Sequence, residues 1–517
     1  MFRSSPNSAW ALAAALVLAG FLQGCTGQRE SAPKPGTSER GKPNVLLIVI
    51  DDLNDWIEPL GGHPDAKTPH FNRLARRSIS FTNAHCDATA CNPSRTALLT
   101  GLRPSTTGVY KNGQPYLAAV ADRPTLMEAF TAAGYRTLGA GKVFHRWGPG
   151  KLVWDEYRGR QDDPKGELRE SAGLTGRAHF SWGPLDVEDE EMDDAQVVLQ
   201  AKRWLESPQP EPFFMALGIY LPHLPWSVPQ KYFDLYPLDE ITLPATPPTD
   251  PDDLSDLPRS ALNRLDRVAH QTIAQGDQVR QVHQAYLASI SFADAMLGRA
   301  LDALDQSPHR DNTIMVVVSD HGLHLGEKDH WGKYTLWERS THIPLFISAP
   351  HLAAQAGARS AGTVTPVDLY PTLLELADIP PISNLDGRSF ASLLEDPQHP
   401  WEHPALTTYP NRDYAVRNQR WRYIRYRNGD EELYDHQQDP HEWHNLAGEP
   451  KLNPIKEELG TFFPAVAAPD APVTFKPDDL QATVKFLVRF FEPDKLIRKL
   501  EAEAEKRQQH DQGETEP

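Results

Sequence analysis

At ~100–200 residues per domain, the 517-residue chain has room for two to four domains. Its composition, 39% hydrophobic and 24% charged, fits a globular protein with a large core and excludes both a disordered chain and a membrane channel. The 70 acidic residues against 52 basic leave a net charge of −18, which argues against nucleic acid as a partner; any anionic ligand must meet a local positive pocket.

Residues 10–22 form an apolar run, too short for the ~20 residues a bilayer span requires. The run is suited to the core of an export signal, with Arg3 the only basic residue before it. Leu22-Gln23-Gly24-Cys25 then resembles a bacterial lipobox, which predicts a lipoprotein signal peptide over 1–25 and a lipid anchor to the membrane on Cys25. An ordinary signal peptide cut near the same place is the other reading. Residues 26–42, rich in Ser, Pro, Gly and charge, read as a flexible linker. The expected location is outside the cytoplasm, membrane-anchored, in the periplasm or at the cell surface.

Residues 45–50 are six aliphatic residues without alternation, the pattern of a strand buried on both faces of a parallel sheet, and they end in Asp51-Asp52. A shorter run at 136–140 leads to Lys142 and His145, a run at 213–220 leads to His223, and one at 313–319 ends in Asp320-His321. Ligands of open α/β sheets gather beyond the carboxyl ends of the strands, so these four runs point to one shared site. Helices are predicted between them. Pro124 and Gly134 bracket one, 277–306 has the periodicity of a long one, and 365–378 carries another with Leu369, Leu373 and Leu376. The proline-rich stretch 236–258 reads as an excursion from the sheet. A composition change after about residue 380 marks a second unit over 381–465, in which 414–426, Asn428-Gly429-Asp430 and 432–434 read as a hairpin. Residues 466–517 are expected to form a helical, charged extension.

Asp51, Asp52 and Asp320 would bring three carboxylates together at low exposure, which is very costly without compensation. A hard divalent cation resolves it, and oxygen-rich ligation favours Ca2+ or Mg2+ over zinc. Asp51-Asp52 alone also fits a water-capped loop start; the matching Asp320-His321 favours the cation.

Of three cysteines, Cys91 opens the segment Cys91-Asn92-Pro93-Ser94-Arg95, followed by Thr100-Gly101. At a helix N-terminus this residue would be a stabilised thiolate nucleophile, a buried free thiol, or a partner of Cys86. The C-x-P-S-R pattern with T-G in the same helix is similar to the signature of type I sulfatases, a family of the alkaline phosphatase superfamily in which this cysteine is oxidised to formylglycine. The similarity extends over about 43–450. It takes in Gly141-Lys142-Val143-Phe144-His145, Leu221-Pro222-His223-Leu224-Pro225, Ser319-Asp320-His321-Gly322 and His330-Trp331-Gly332-Lys333-Tyr334, and it resembles the iduronate-2-sulfatase branch most. Many sulfatases carry Asn where His321 stands, whereas that branch carries His.

The resemblance implies an α/β fold with a mostly parallel central sheet flanked by helices over 43–380, and a smaller C-terminal α+β subdomain. It implies a hydrated formylglycine at Cys91 that attacks sulfur, and one Ca2+ per chain, in preference to Mg2+, held by Asp51, Asp52, Asp320, His321 and position 91. Arg95 would orient the hydrate, Lys142 and Lys333 would bind the sulfate oxygens, His223 would protonate the leaving oxygen and His145 would deprotonate the second hydroxyl. The implied partners are a sulfated saccharide, with a uronic acid 2-sulfate foremost, and a formylglycine-generating maturation enzyme. A phosphate or phosphonate monoester hydrolase and an inactive glycan-binding lipoprotein are the competing readings; the presence of both an acid and a base argues against the second.

Overall fold

The computed structural model describes residues 41–114, 123–145, 153–164, 169–170, 181–209, 212–247, 254, 273 and 278–471. The export signal, the lipobox, nearly all of the linker and all of the expected helical extension beyond 471 lie outside the described residues.

Eight strands make the central sheet: β1 Asn44–Ile50, β2 Ile79–Phe81, β3 Arg136–Gly141, β4 Glu156–Gly159, β5 Phe213–Ile219, β6 Thr313–Ser319, β7 Leu345–Ser348 and β8 Arg359–Ser360. Their order is β8-β2-β7-β6-β1-β5-β3-β4. From β6 through β1, β5 and β3 to β4 every pairing is parallel, and β7 alone runs against its neighbours. The four runs singled out in the sequence are therefore four adjacent strands at the centre. β1 shows why its sequence does not alternate. Leu46, Ile48 and Ile50 enter the core on one face, and Val45, Leu47 and Val49 enter the core on the other.

Six helices matter for the site: α1 Pro69–Ala75, α2 Cys91–Thr100, α3 Leu126–Ala132, α4 Asp193–Glu206, α5 Val279–Asp305 and α6 Leu369–Leu376. Helices α1, α4 and α5 cover the face of Leu46, while α2, α3 and α6 cover the face of Val45. α3 starts at Thr125, whose side chain and that of Glu128 satisfy each other's backbone N–H groups as a capping box. α5 spans the predicted 277–306 almost in full. The predicted 365–378 helix is split, a short 3-10 turn at Pro366–Asp368 leading into α6.

The C-terminal sheet is a four-stranded antiparallel meander: β9 Ala405–Thr408, β10 Tyr414–Arg417, β11 Trp421–Arg425 and β12 Glu431–Asp435. Residues 414–426 were expected as one arm of a hairpin and are instead two strands. Asn418 breaks them, because its Oδ1 accepts from the N–H groups of Arg420 and Trp421 at 2.9 and 2.7 Å, a turn made without glycine or proline. Phe390, Leu393 and Leu394, beyond the composition change at 380, still belong to the first core. The meander joins the large unit through Trp337, whose indole donates to Glu432 at 2.7 Å, and through an apolar cluster of Leu336, Trp337, Ile424 and Tyr434. Residues 466–471 are not helical. They run along 105–114, with Ala468 N–H donating to Ser105 O at 2.7 Å and Ala471 N–H to Gly108 O at 2.8 Å.

Candidate active site

Register brings the strand ends level. Ile50 of β1 lies opposite Ile219 of β5 and Ser319 of β6, and Gly141 of β3 lies opposite Gly218 of β5. The ladder continues one step past each end: Asp51 N–H donates to Ile219 O at 3.1 Å, Asp320 N–H to Ile50 O at 3.2 Å and Lys142 N–H to Gly218 O at 3.0 Å. Asp51, Asp320 and Lys142 are thus placed by backbone pairing before any side chain acts. Close approach at β3 and β5 needs the two glycines. A side chain at Gly218 would run into the Lys142 backbone, and one at Gly141, where φ is +75, would run into Gly218 O.

Cys91 is the first residue of α2, with Ala90 as N-cap in extended conformation. Every residue of α2 is buried, and the helix stops at Gly101 in the left-handed conformation. Cys86 and Cys91 are both buried free thiols, which removes the disulfide alternative. Cys91 Sγ accepts from Lys333 Nζ at 3.0 Å and lies 3.4 Å from His321 Nε2. Lys333 Nζ also donates to Asp52 Oδ1 at 2.6 Å, so one ammonium bridges the sulfur and a carboxylate. Asp52 itself adopts φ +61, a conformation unusual outside glycine, and its N–H donates to Asp320 Oδ1 at 3.1 Å.

Arg95, one turn into α2, is wholly buried. Its Nε donates to Asp320 Oδ2 at 2.8 Å, Nη1 donates to the carbonyls of Lys142 and Val143, and Nη2 sits 3.2 Å from Asp51 Oδ1. Lys142 Nζ donates to Asp51 Oδ2. Asp51, Asp52, Asp320, Arg95, Lys142 and Lys333 therefore form one charge-compensated cluster. Asp51, Asp52, Cys91 and His321 each offer a ligand atom within 4.8 Å of the others. Asp320 enters differently, directing its oxygens to Arg95 and to the N–H groups of Asp52 and His321.

This donor set fits a cation. Asp51 Oδ1 is buried and receives no hydrogen bond of good geometry, which leaves a lone pair unused on one of the four residues whose ligand atoms gather here. Burial opposes ionisation of Asp51, but the charges of Lys142 and Arg95 hold its carboxyl well below the usual value. Burial wins at Asp52, which is pushed up to about 7 although Lys333 and His321 oppose it. Burial also works against the charge on Lys333, and Asp52 with Cys91 outweighs it, holding the ammonium well above its usual value.

The two histidines expected to move protons are also here. His223 Nε2 stands 4.0 Å from Asp52 Oδ2, and its Nδ1 lies 2.6 Å from Leu224 O, which fixes the Nδ1–H tautomer of a neutral ring. Burial, then Lys142 and Lys333, depress its basicity well below normal. His145 Nδ1 is buried without a hydrogen-bond partner among the described residues, and burial followed by the Lys142 charge takes the ring to about 3, so it is a neutral acceptor. His330 Nε2 faces Lys333 O at 2.7 Å.

Two residues around this centre were not singled out from the sequence. Tyr220 stacks against His223 at 4.7 Å between ring centres, with Lys142 Nζ 5.1 Å and the Arg160 guanidinium 3.6 Å from its own centre. Asp194, buried at the start of α4, accepts from the N–H groups of Tyr220 and Leu221 at 2.8 and 3.0 Å and so holds the segment that carries His223. Tyr220 was legible as the last residue of a buried run; Asp194 sits within an acidic stretch, 188–194, that reads as a solvated surface.

A buried thiol at a helix start, set among carboxylates, lysines and neutral imidazoles at the ends of parallel strands, is the layout of a hydrolase for anionic esters. The sulfatase family model matches residues 43–379, and the family described as N-sulphoglucosamine sulphohydrolase, C-terminal, matches 326–466. A protein named sulfatase from Formosa agariphila is 38% identical over 473 residues, covering 87% of this chain and 92% of its own. Iduronate 2-sulfatase of Mus musculus is 32% identical over 402 residues, covering 68% of this chain and 71% of its own. Among solved structures, the phosphonate monoester hydrolase of Agrobacterium radiobacter has the same fold at a TM-score of 0.65 and 22% identity, over 81% of this chain and 94% of its own. The chain belongs to the sulfatase family and is a hydrolase of sulfate esters.

Proposed function

We propose that this enzyme removes sulfate from a saccharide, with a uronic acid 2-sulfate at a chain end as its favoured substrate. The observation that carries the reading is the bridge made by Lys333 between Cys91 Sγ and Asp52, beside the Lys142–Asp51 pair, which puts two ammonium groups where a sulfate meeting position 91 needs them. Likeness to iduronate 2-sulfatase supports the choice of sugar.

The residues fit two groups the family uses. Asp51, Asp52, Asp320 and His321 would hold a divalent cation, Ca2+ by the hardness of the oxygens, and Cys91 would be converted to formylglycine by a maturation enzyme. When present, the cation polarises the sulfate and the formylglycine hydrate supplies a hydroxyl nucleophile. The other steps belong to the chain's own side chains. Lys142 and Lys333 bind sulfate oxygens and offset the charge that grows on them. Arg95 holds the start of α2 against Asp320 and the Lys142 carbonyl, which keeps position 91 in line with the strand ends. His145, a neutral ring, takes a proton. His223, neutral at rest, first takes up a proton from solvent at Nε2 once substrate is bound and then delivers it to the departing sugar oxygen. A bound sulfate beside it replaces the repulsion of Lys142 and Lys333 with a favourable charge and raises its proton affinity. The phosphonate hydrolase likeness is one of fold. We also place the mature protein at the membrane through acylated Cys25, on the lipobox in residues 22–25.

The test is kcat/KM of matured enzyme on two defined substrates, a terminal 2-sulfated uronate and a neutral 6-sulfated hexosamine. A strong preference for the uronate is expected, because a second charge pairing orients the reacting centre. Equal or reversed preference removes the uronate assignment and leaves the sulfatase chemistry in place.

A further inference from the structure

Tyr334 follows Lys333 directly and has three unusual properties at once. The residue is 45% exposed, whereas the other aromatic residues among the described ones are mostly withdrawn from solvent. Its backbone takes φ +80, a strained conformation for a residue with a Cβ. And its ring is braced from behind, stacked on Tyr409 of the C-terminal sheet with 5.2 Å between centres and 30° between planes.

The ring is tied to the nucleophile segment at several points. Tyr334 N–H donates to Thr89 O at 3.1 Å, two residues before Cys91. Its hydroxyl faces Asn112 Nδ2 at 3.4 Å, and Asn112 Oδ1 in turn accepts from the N–H of Asn92 at 3.0 Å. Lys333 Nζ, which reaches Cys91 Sγ, stands 6.0 Å from the ring centre. An exposed aromatic surface is thus fixed about one sugar ring away from the atom that meets the sulfate. Backbone strain held in place by surrounding contacts is a feature of ligand clamps, and here the strained residue presents a flat apolar face to solvent beside a charged pocket.

We propose that Tyr334, backed by Tyr409, is the platform against which the apolar face of the substrate's pyranose ring packs, making it a specificity-determining residue for saccharide sulfates. The proposal rests on the saccharide reading above and adds to it the surface that recognises the sugar rather than the sulfate. Lys142 and Lys333 read the anion; Tyr334 reads the ring attached to it. The C-terminal sheet enters function through Tyr409, which sets the tilt of the platform.

The test uses matured full-length protein and three forms of position 334: wild type, Tyr334→Phe and Tyr334→Leu. Leucine keeps a Cβ and so leaves the backbone strain as it is. KM and kcat are measured on whichever defined sulfated saccharide the wild type turns over fastest, and inorganic sulfate is titrated as an inhibitor that reports the anion pocket alone. Tyr334→Phe should stay within about twofold of wild type, and Tyr334→Leu should raise KM by roughly tenfold with little change in kcat and an unchanged inhibition constant for sulfate. An unchanged KM in Tyr334→Leu overturns the platform, and so does a parallel loss of sulfate inhibition, which would mean that Tyr334 only positions Lys333. A wild-type enzyme that hydrolyses small sulfate esters but no saccharide sulfate overturns the saccharide reading itself, a result visible before any variant is made.

Discussion

Arg95 Nε donates to Asp320 Oδ2 at 2.8 Å, and both side chains are withdrawn from solvent. The bond ties helix α2 to the end of strand β6, so the nucleophile's position depends on an ion pair within the core. Breaking a buried pair from one side strands the other charge, at a cost of about 3–5 kcal/mol. Arg95→Met and Asp320→Asn should each lower stability on that scale in urea unfolding, and the double variant should lose less than the two losses added. Full additivity would mean that the two residues act separately.

In the proposed reaction Cys91 supplies chemistry rather than volume to the core. Cys91→Ala should abolish turnover while leaving the thermal midpoint within a few degrees of wild type, because it deletes one buried atom. Mass spectrometry of the active protein should show an aldehyde at position 91. Turnover by a preparation carrying only the thiol would sink the proposed nucleophile.

Cation removal should be felt by the fold as well as by the reaction. The carboxylates at the strand ends gain a partner when the metal binds, and at a hundredfold excess over Kd such binding stabilises by about 2.7 kcal/mol. Chelation should therefore lower the midpoint of thermal unfolding, and Ca2+ should restore it best. An active preparation with stoichiometric zinc and no calcium would contradict the oxygen-ligand reading.

His342 supplies a pH signature away from the nucleophile. Burial works against its protonation, but the carboxylates of Asp55 and Glu338, each 3.7 Å from Nδ1, raise it above its usual value. A raised imidazole contributes stability that is complete below the unfolded value of about 6.5 and is lost as pH rises through the folded one. The stability gap between wild type and His342→Gln should be widest near pH 6 and should narrow on the alkaline side. A gap constant with pH would show that the ring contributes by packing alone.

The proposed anchor has a simple check. Cys25→Ser should move the enzyme from the membrane fraction to the soluble one, since one acylated N-terminus is the attachment. Retention of the variant in the membrane fraction would point to a contact elsewhere in the chain.

What was legible in the sequence follows from what kind of force sets each feature. β1 and β6 are buried on both faces, so their runs of aliphatic residues could belong to little else, and the charged residues that end them fall where parallel register must place them. α5, 27 residues long, declared itself by period. Cys91 and Arg95 stood out through a motif. Tyr220, Tyr334 and Asp194 did not, because each matters through a neighbour distant in sequence: His223 and Arg160 around Tyr220, Tyr409 behind Tyr334, and the Tyr220 and Leu221 backbone before Asp194. The break between β10 and β11 was hidden for another reason, since Asn418 makes its turn with a side-chain oxygen and the reading looked for glycine and proline.

The Gly141–Gly218 crossing has a consequence for how this enzyme can change. Neither residue has a side chain to offer a substrate, yet a Cβ at either would enter space that the Lys142 backbone or the pairing partner holds. A tight tolerance therefore reaches two positions with no chemistry of their own. Substitutions that alter sugar preference can fall on loops and aromatic walls, while Gly141 and Gly218 in the seam between β3 and β5 admit no side chain.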